Sequence, residues 1–466
     1  MKKNNFWLFL CLALLLPCAL HAQVNMLYYM ENVPARNVLN PAFIPSQKFY
    51  IDLPVISGVA FSVGNNSVSA QDIVVKKGDE LVPELQSNAD HSPFLNKLKT
   101  TTNITSESRV NLLGFGFRLP EGYFTFGISE RDRVGINIPK SLVRLGFDGA
   151  PVALETKKYN LHKIGCDASA YLEMAFGYSR KIDDSWTVGG KVKVLFGEAH
   201  ADLSFSELGL DVGDQYIDLY GKGKARFTSP VAVSQRSDGL PYIRQEDVKL
   251  DKMLHPVGFG LGLDAGAAYR YDDRLQFSGS IDDIGFIRWK KSDWEGNLNA
   301  RTSYKSWDFT VDNATSNWGQ QVGDSLKNSY KSTFDAAHGY VKALAATVRL
   351  GADYDLIKKK INLGLLCVKT FGGRYRYNEV LASVNFRPFY WFNASVGYGL
   401  INGNMGSLGL GLNLIGGPFN FFATTDYLPL SYTSNNIPYK SKYVNGHVGV
   451  ALTFKDRVRK PLCHCE

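Results

Sequence analysis

The chain has 466 residues, of which 45% are hydrophobic and 13% aromatic, with 44 glycines and a formal net charge of +8. That charge is small and dispersed, and Lys2 and Lys3 carry part of it, so no basic face argues for nucleic acid. Past residue 22 no stretch approaches the roughly 18 apolar residues of a spanning helix, and glycine with aromatics in these amounts suits close-packed strands and interfacial girdles.

Taken in chain order, Lys2 and Lys3 precede an apolar run over residues 6–20, and Ala22 offers a small-residue cleavage site before Gln23. Residues 1–22 therefore read as an export signal. Pro17 makes a poor lipobox residue before Cys18, which weakens a lipoprotein reading. Cys166, Cys367, Cys463 and Cys465 are too scattered for a disulfide framework in a chain of this size. Residues 23–48 hold turn-rich 37–43 and no sustained period, so they read as a periplasmic or luminal segment.

From residue 49 to 455 the period is two. Ile51, Leu53, Val55, Val59, Phe61 and Val63 alternate with Asp52, Gly58, Ala60 and Ser62 as one first strand. Residues 64–108 then form a long polar insertion with a short helix expected at 94–98. A hairpin turns at 120–122, and 139–146 reads as an amphipathic helix with Pro139 in its first turn. Ala168 to Tyr178 and Trp186 to Phe196 make a hairpin about Asp183-Asp184, and Phe259 to Tyr271 and Leu275 to Ile281 make another about Asp272-Asp273. Residues 199–256 and 288–342 are long insertions, the first with room for an extra hairpin near 217–227.

The closing stretch shows the pattern most clearly. Phe392, Ala394, Val396, Tyr398 and Leu400, then Leu408, Leu410, Leu412 and Leu414, then Val444, Val448, Val450, Leu452 and Phe454 occupy one face. The other face is mostly Ser, Gly, Asn and Thr rather than Lys and Glu. A soluble sheet would show charge to water, whereas a small-polar face suits a lumen whose opposite face meets lipid. The expected fold is thus all-β: a transmembrane antiparallel β-barrel of about fourteen strands over 49–455, or sixteen with the extra hairpin, followed by a basic tail at 456–466. Short connections alternate with long ones, as in outer-membrane barrels with both termini periplasmic and long loops outside.

The stretches Asn40-Pro41-Ala42-Phe43, Ile138-Pro139-Lys140-Ser141-Leu142, Val188-Gly189-Gly190-Lys191-Val192-Lys193 and Asp283-Ile284-Gly285-Phe286-Ile287-Arg288-Trp289 carry a resemblance. They resemble an uncharacterised outer-membrane β-barrel family of Bacteroidota, itself distantly similar to FadL-like long-chain fatty-acid transporter barrels. The resemblance implies fourteen strands and no assigned catalytic residues.

Candidate chemistry is sparse. Gly258-x-Gly260-x-Gly262 lies inside a strand, with no helix N-terminus to receive a phosphate, so it reads as small lumen-facing residues. No Gly-x-Ser-x-Gly elbow occurs. His200, Asp202, Glu207 and His255 could gather above a rim, but long loops usually carry such residues solvated. Cys463-His464-Cys465 lacks the second ligand pair of a structural zinc site, and the Asp183 and Asp272 pairs read as turn formers rather than calcium ligands. Lys191, Lys193, Arg270 and Arg349 fall on the inward face: they either line an anion-attracting lumen or pair with Glu173, Asp264 and Asp353. No catalytic residue, cofactor or metal is assigned. The expected function is a non-enzymatic outer-membrane barrel, in contact with lipid, that passes or binds a hydrophobic or small amphipathic ligand. The alternatives are an anchor for an envelope or secretion complex acting through its outer loops and, third, a barrel enzyme.

Overall fold

The structure is a computed structural model that describes residues 24–54, 56–77, 80–83, 92–148, 157–213, 216–231, 233–235, 241–243, 255–290, 292–305, 330–336, 338–374, 377–402, 404–428 and 442–454. The expected signal at 1–22, the expected tail at 456–466 and Cys463, His464 and Cys465 lie outside the described residues.

Fourteen strands close into one antiparallel barrel. Strand β1 comes in two pieces, Phe49–Asp52 and Val59–Asn65, followed by β2 (Thr101–Arg118), β3 (Tyr123–Pro139), β4 (Gly165–Lys181) and β5 (Trp186–Val212). Next come β6 (Gly258–Arg270), β7 (Leu275–Trp289), β8 (Tyr340–Ala343 and Ala346–Ile357) and β9 (Ile361–Phe371). The last five are β10 (Asn378–Phe389), β11 (Phe392–Ile401), β12 (Asn404–Gly416), β13 (Phe419–Thr425) and β14 (Tyr443–Phe454). Strand β14 returns to both pieces of β1, with Phe49 opposite Phe454 and Val59 opposite Val448. Closure removes every sheet edge from the wall, which hydrocarbon requires because it offers backbone groups no partner.

The facing follows the alternation. Leu410, Leu412, Leu414, Val396 and Tyr398 are exposed on the outside, while Ser395, Ser407, Asn413 and Asn420 are buried within. Inside, Asn413 Nδ2 donates to Asn420 Oδ1 at 2.5 Å and Ser395 Oγ to Asn385 Oδ1 at 2.6 Å, so small polar side chains satisfy one another across strands. Outside, Trp186, Tyr271, Phe389, Trp391 and Phe419 are exposed near the short turns, and Phe389 stacks on Trp391 with centroids 5.7 Å apart. Rings with an apolar body and a tolerance for the headgroup layer collect at such an interface.

Short connections at 119–122, 182–185, 271–274, 358–360, 390–391 and 417–418 share one end of the barrel. In two of them an aspartate builds the turn. Asp183 Oδ1 accepts from the N–H groups of Ser185 and Trp186 at 2.7 and 2.6 Å, and Asp272 Oδ1 accepts from Arg274 and Leu275 at 2.7 Å each. Those two backbone donors hold the Asp272 carboxyl below the usual carboxylate range.

The strands run farther than the apolar alternation suggests at the long-loop end, because their polar outer portions carry no period-two signal. Strand β2 starts at Thr101 rather than near residue 109, and β5 extends over 27 residues. Its last part pairs with Tyr216–Thr228, which pairs with Ser292–Lys305, which pairs in turn with Tyr330–Ala336. The hairpin candidate at 217–227 therefore belongs to an extension beyond the wall, and the barrel has fourteen strands rather than sixteen. Tyr159, Leu208, Leu210, Val212 and Leu219 give that extension its own small core. The first strand also differs from expectation. It breaks between Asp52 and Val59, where Val55 lies outside the described residues, Pro54 has no N–H to donate and Ile56 is 62% exposed. Of the two expected helices, one runs Ser92–Lys97 and the other Lys140–Asp148, with Pro139 closing β3 just before it.

Candidate functional site in the barrel lumen

The lumen holds the chain's own N-terminal segment. Two short 3₁₀ turns, Asn25–Tyr29 and Pro34–Val38, lie inside the barrel, with Met26, Leu27, Tyr28, Met30 and Val33 almost fully buried. They pack on Leu366, Val368, Leu381, Ile401 and Phe422 from the inner wall. Polar contacts seat the segment along its length. The N–H groups of Asn25 and Met26 both donate to the Asp426 carboxylate at 2.7 Å, and the Asn25 amide donates to Glu379. Tyr29 Oη donates to Leu365 O at 2.6 Å, Lys191 Nζ to Asn37 O at 2.7 Å, and Ser179 Oγ to Pro41 O at 2.6 Å. Glycine on the wall makes the close approach possible: a Cβ at Gly189 would stand 2.2 Å from Pro41 O, and one at Gly266 2.1 Å from Asn40 Oδ1.

Beside the segment lies a buried ionic belt. Arg131 reaches Glu107, Glu173 and Asp283 at 2.9 Å each, and Arg133 reaches Glu107 and Asp283 at the same distance. Lys193 contacts Asp264 at 2.7 Å and Asp283 at 2.6 Å, and Arg109 contacts Glu173 at 2.5 Å. Cations and carboxylates thus alternate in equal number, so charges that would be prohibitive alone are mutually compensated. A bulge makes Asp283 the hub. The β6–β7 register shifts between Leu263 and Ala265, Asp283 adopts φ 62°, and both Asp282 and Asp283 turn inward. Aspartate tolerates that left-handed backbone better than most residues, and here its N–H donates to Asp264 Oδ1 at 2.8 Å.

The inward charges named from the sequence divide accordingly. Lys193, Glu173 and Asp264 meet in the belt. Lys191 holds a backbone carbonyl of the luminal segment, and Arg349 pairs with Asp282 rather than Asp353. Asp353 accepts from Asn362 Nδ2 at 3.0 Å, and Arg270 lies exposed at the short-turn end, outside the belt. Glu107, Arg109, Arg131, Arg133, Asp282 and Asp283 were missed. Their signal was available as Glu107-x-Arg109 and Arg131-x-Arg133, two same-face charge pairs on neighbouring strands; the Asp282-Asp283 pair was hidden because strict period two turns only one of them inward.

The other candidates do not form a reaction centre. His200 shares a 2.8 Å hydrogen bond with Tyr340 Oη, Asp202 pairs with Lys342, Glu207 stands opposite Lys222 on the extension, and His255 is exposed ahead of β6. Among the described residues no group of three or more His, Cys, Asp or Glu side chains is placed to hold a metal ion. Gly258 and Gly260 face the lumen wall, where a Cβ would meet Trp289 and Phe286 O.

No curated protein matches this sequence. Among solved structures, the toluene transporter TbuX of Ralstonia pickettii shares 9% identity and a TM-score of 0.41, over 90% of this chain and 94% of that one. A FadL homologue of Pseudomonas aeruginosa shares 10% identity and a TM-score of 0.42, over 94% and 99% of the two chains. The toluene transporter TodX of Pseudomonas putida shares 7% and a TM-score of 0.36, over 93% and 97%. At these scores the likenesses carry no argument about activity. A family profile matches residues 41–426, and the chain belongs to that family of unknown function, DUF5723.

Proposed function

We propose that the protein is a non-enzymatic outer-membrane barrel, closed at rest by its N-terminal segment, that passes or binds a hydrophobic or small amphipathic ligand. The observation that carries this is the interrupted wall. The ladder of β1 breaks between Asp52 and Val59, opposite a bulge in β2 between Asn111 and Leu113. Two hydrogen bonds span the break, Val450 N to Ile56 O at 3.0 Å and Asn111 N to Gly58 O at 2.9 Å. Close by lies a cavity of about 50 Å³ lined by Pro34, Ala35 and Val38 of the luminal segment and by Leu113 and Phe126 of the wall, of which Leu113 is exposed on the lipid side. A weakened ladder between lipid and a partly apolar lumen suits a ligand that arrives from the membrane.

The test uses 1-propanol, an amphipathic probe of about the cavity's size, in saturation-transfer NMR on the detergent-solubilised protein. A saturable component that disappears in Ala35→Leu, where the added atoms occupy the cavity, is the expected result. A signal indistinguishable from the detergent blank contradicts the reading. A second reading, the anchor, draws on the sheet that carries β5 beyond the wall at the long-loop end, which gives a partner an ordered surface. Co-purification of one stoichiometric envelope protein, lost when residues 216–228 are replaced by a short linker, is what that reading expects.

A further inference from the structure

A second cavity, also about 50 Å³, lies at the long-loop end of the lumen, and neither the luminal segment nor the break in β1 contributes to it. Its walls come from β3, which contributes Arg133, and from β4, β5, β7 and β8, and the connection between β9 and β10 adds Gly373 and Arg374. Among the described residues, three buried polar atoms on these walls have no hydrogen-bond partner: Tyr171 Oη, His200 Nε2 and Trp289 Nε1. Their residues are 0%, 2% and 0% exposed. Leaving such a group unmet is costly, and native proteins rarely leave three together.

The orientation of two of these rings is set by their other contacts. The benzo edge of Trp289 (Cε3, Cζ3 and Cη2) lies against Gly197 and Gly258 on the wall, which turns Nε1 away from those strands and towards the lumen. His200 uses Nδ1 on Tyr340 Oη, which directs Nε2 to the opposite side, 3.9 Å from Asp167 Oδ1. The three cations on the walls are not held alike. Lys342 is met by Asp167 and Asp202 and Arg133 by Glu107 and Asp283, whereas Arg374 makes no hydrogen bond or ion pair among the described residues. Its guanidinium therefore has no direct partner there and stands beside an indole N–H and a phenol O–H.

We propose that this cavity is a binding site for a compact oxyanion, a carboxylate group. Trp289 Nε1 and Tyr171 Oη donate to its oxygens, Arg374 supplies the balancing charge, and His200 Nε2 supplies a further donor when it carries the proton. Volume limits the ligand. At roughly 10–15 Å³ for each water-sized probe the cavity takes only about four such probes, enough for a carboxylate but not for a chain attached to it. A charge-assisted contact in a water-poor site is stronger than a neutral one, so a single lost donor should be measurable. The inference does not depend on whether the lumen conducts.

The experiment is saturation-transfer NMR with acetate on the full-length protein in detergent, at constant ionic strength. Acetate should bind saturably, and acetamide, its neutral counterpart, should not. Tyr171→Phe keeps the ring and removes only the O–H, and Arg374→Gln removes the charge. Each should weaken acetate by about tenfold, corresponding to roughly 1.4 kcal/mol, in protein whose heat-modifiable gel migration shows a folded barrel. Octanoate distinguishes a free small carboxylate from the head of an amphiphile: comparable affinity for both acids supports recognition of the head alone. Binding of octanoate without acetate, acetate binding by both variants as tight as by the unaltered protein, or no saturable acetate signal overturns the proposal; the last means that the cavity holds water only.

Discussion

Position along a strand decides what each residue costs to change, because neighbouring residues face opposite media. Arg131 touches three carboxylates inside the barrel, so Arg131→Ala leaves the belt with four carboxylates against three cations. The expected loss is about 3–5 kcal/mol, the range for breaking one partner out of a buried ion pair. Arg270 has the same chemistry but lies exposed at the short-turn end, and Arg270→Ala should stay within about 0.5 kcal/mol. Urea unfolding followed by gel migration compares the two; equal losses would mean that the belt contributes nothing special. A second comparison tests the facing. Leu410 is exposed on the lipid side, and Leu410→Arg should destabilise by about 2–4 kcal/mol if it sits near the midplane. Gly411→Ser should be milder, since the new Cβ would stand 2.9 Å from Met30 Sδ, the far end of a flexible side chain.

Among the elements, the luminal segment has the most distinctive energetics. Alone, residues 24–43 have too few apolar contacts to order themselves. Inside the barrel they meet Leu366, Leu381 and Phe422 and find acceptors for their backbone at Asp426. The wall was shaped to receive them, which explains glycine at 189 and 266. Deleting 24–43 should therefore leave a folded barrel with a water-filled lumen. In planar bilayers the intact protein is expected to be silent and the deletion variant to give discrete conductance steps. Silence from both would show that other side chains close the lumen. Strand β1 makes a complementary point: Pro54 and an exposed Ile56 interrupt a ladder that alternation alone would have continued.

For the whole molecule, parity and connection length set the arrangement. Strands β1 and β14 are adjacent, so the even strand number returns both ends of the barrel to the short-turn side. We propose that this side is periplasmic, since exported barrels thread from there and carry long loops outside. Cysteine labelling of intact cells with a membrane-impermeant thiol reagent reads this directly, in a background where Cys166, Cys367, Cys463 and Cys465 are serine. Ser206→Cys, exposed on the long-loop extension, should label, and Asp184→Cys, exposed on a short turn, should not. The reverse pattern would invert the orientation.

The class of fold was legible because hydrocarbon and a polar lumen impose a period of two on the wall strands, with small polar residues rather than charge opposite the apolar face. Leu408 to Leu414 against Ser407 to Asn413 carried that information unaided, as did Asp183 and Asp272 for the turns. Lys193, Glu173 and Asp264 could be placed on the inward face, yet which charges met was decided by strand register. That register depends on bulges such as the one at Asp283, where a local φ reverses the facing of its neighbours. The course of residues 24–43 was illegible for a related reason. A segment without a period of its own takes its structure from the surface around it, and that surface exists only once β14 has closed on β1.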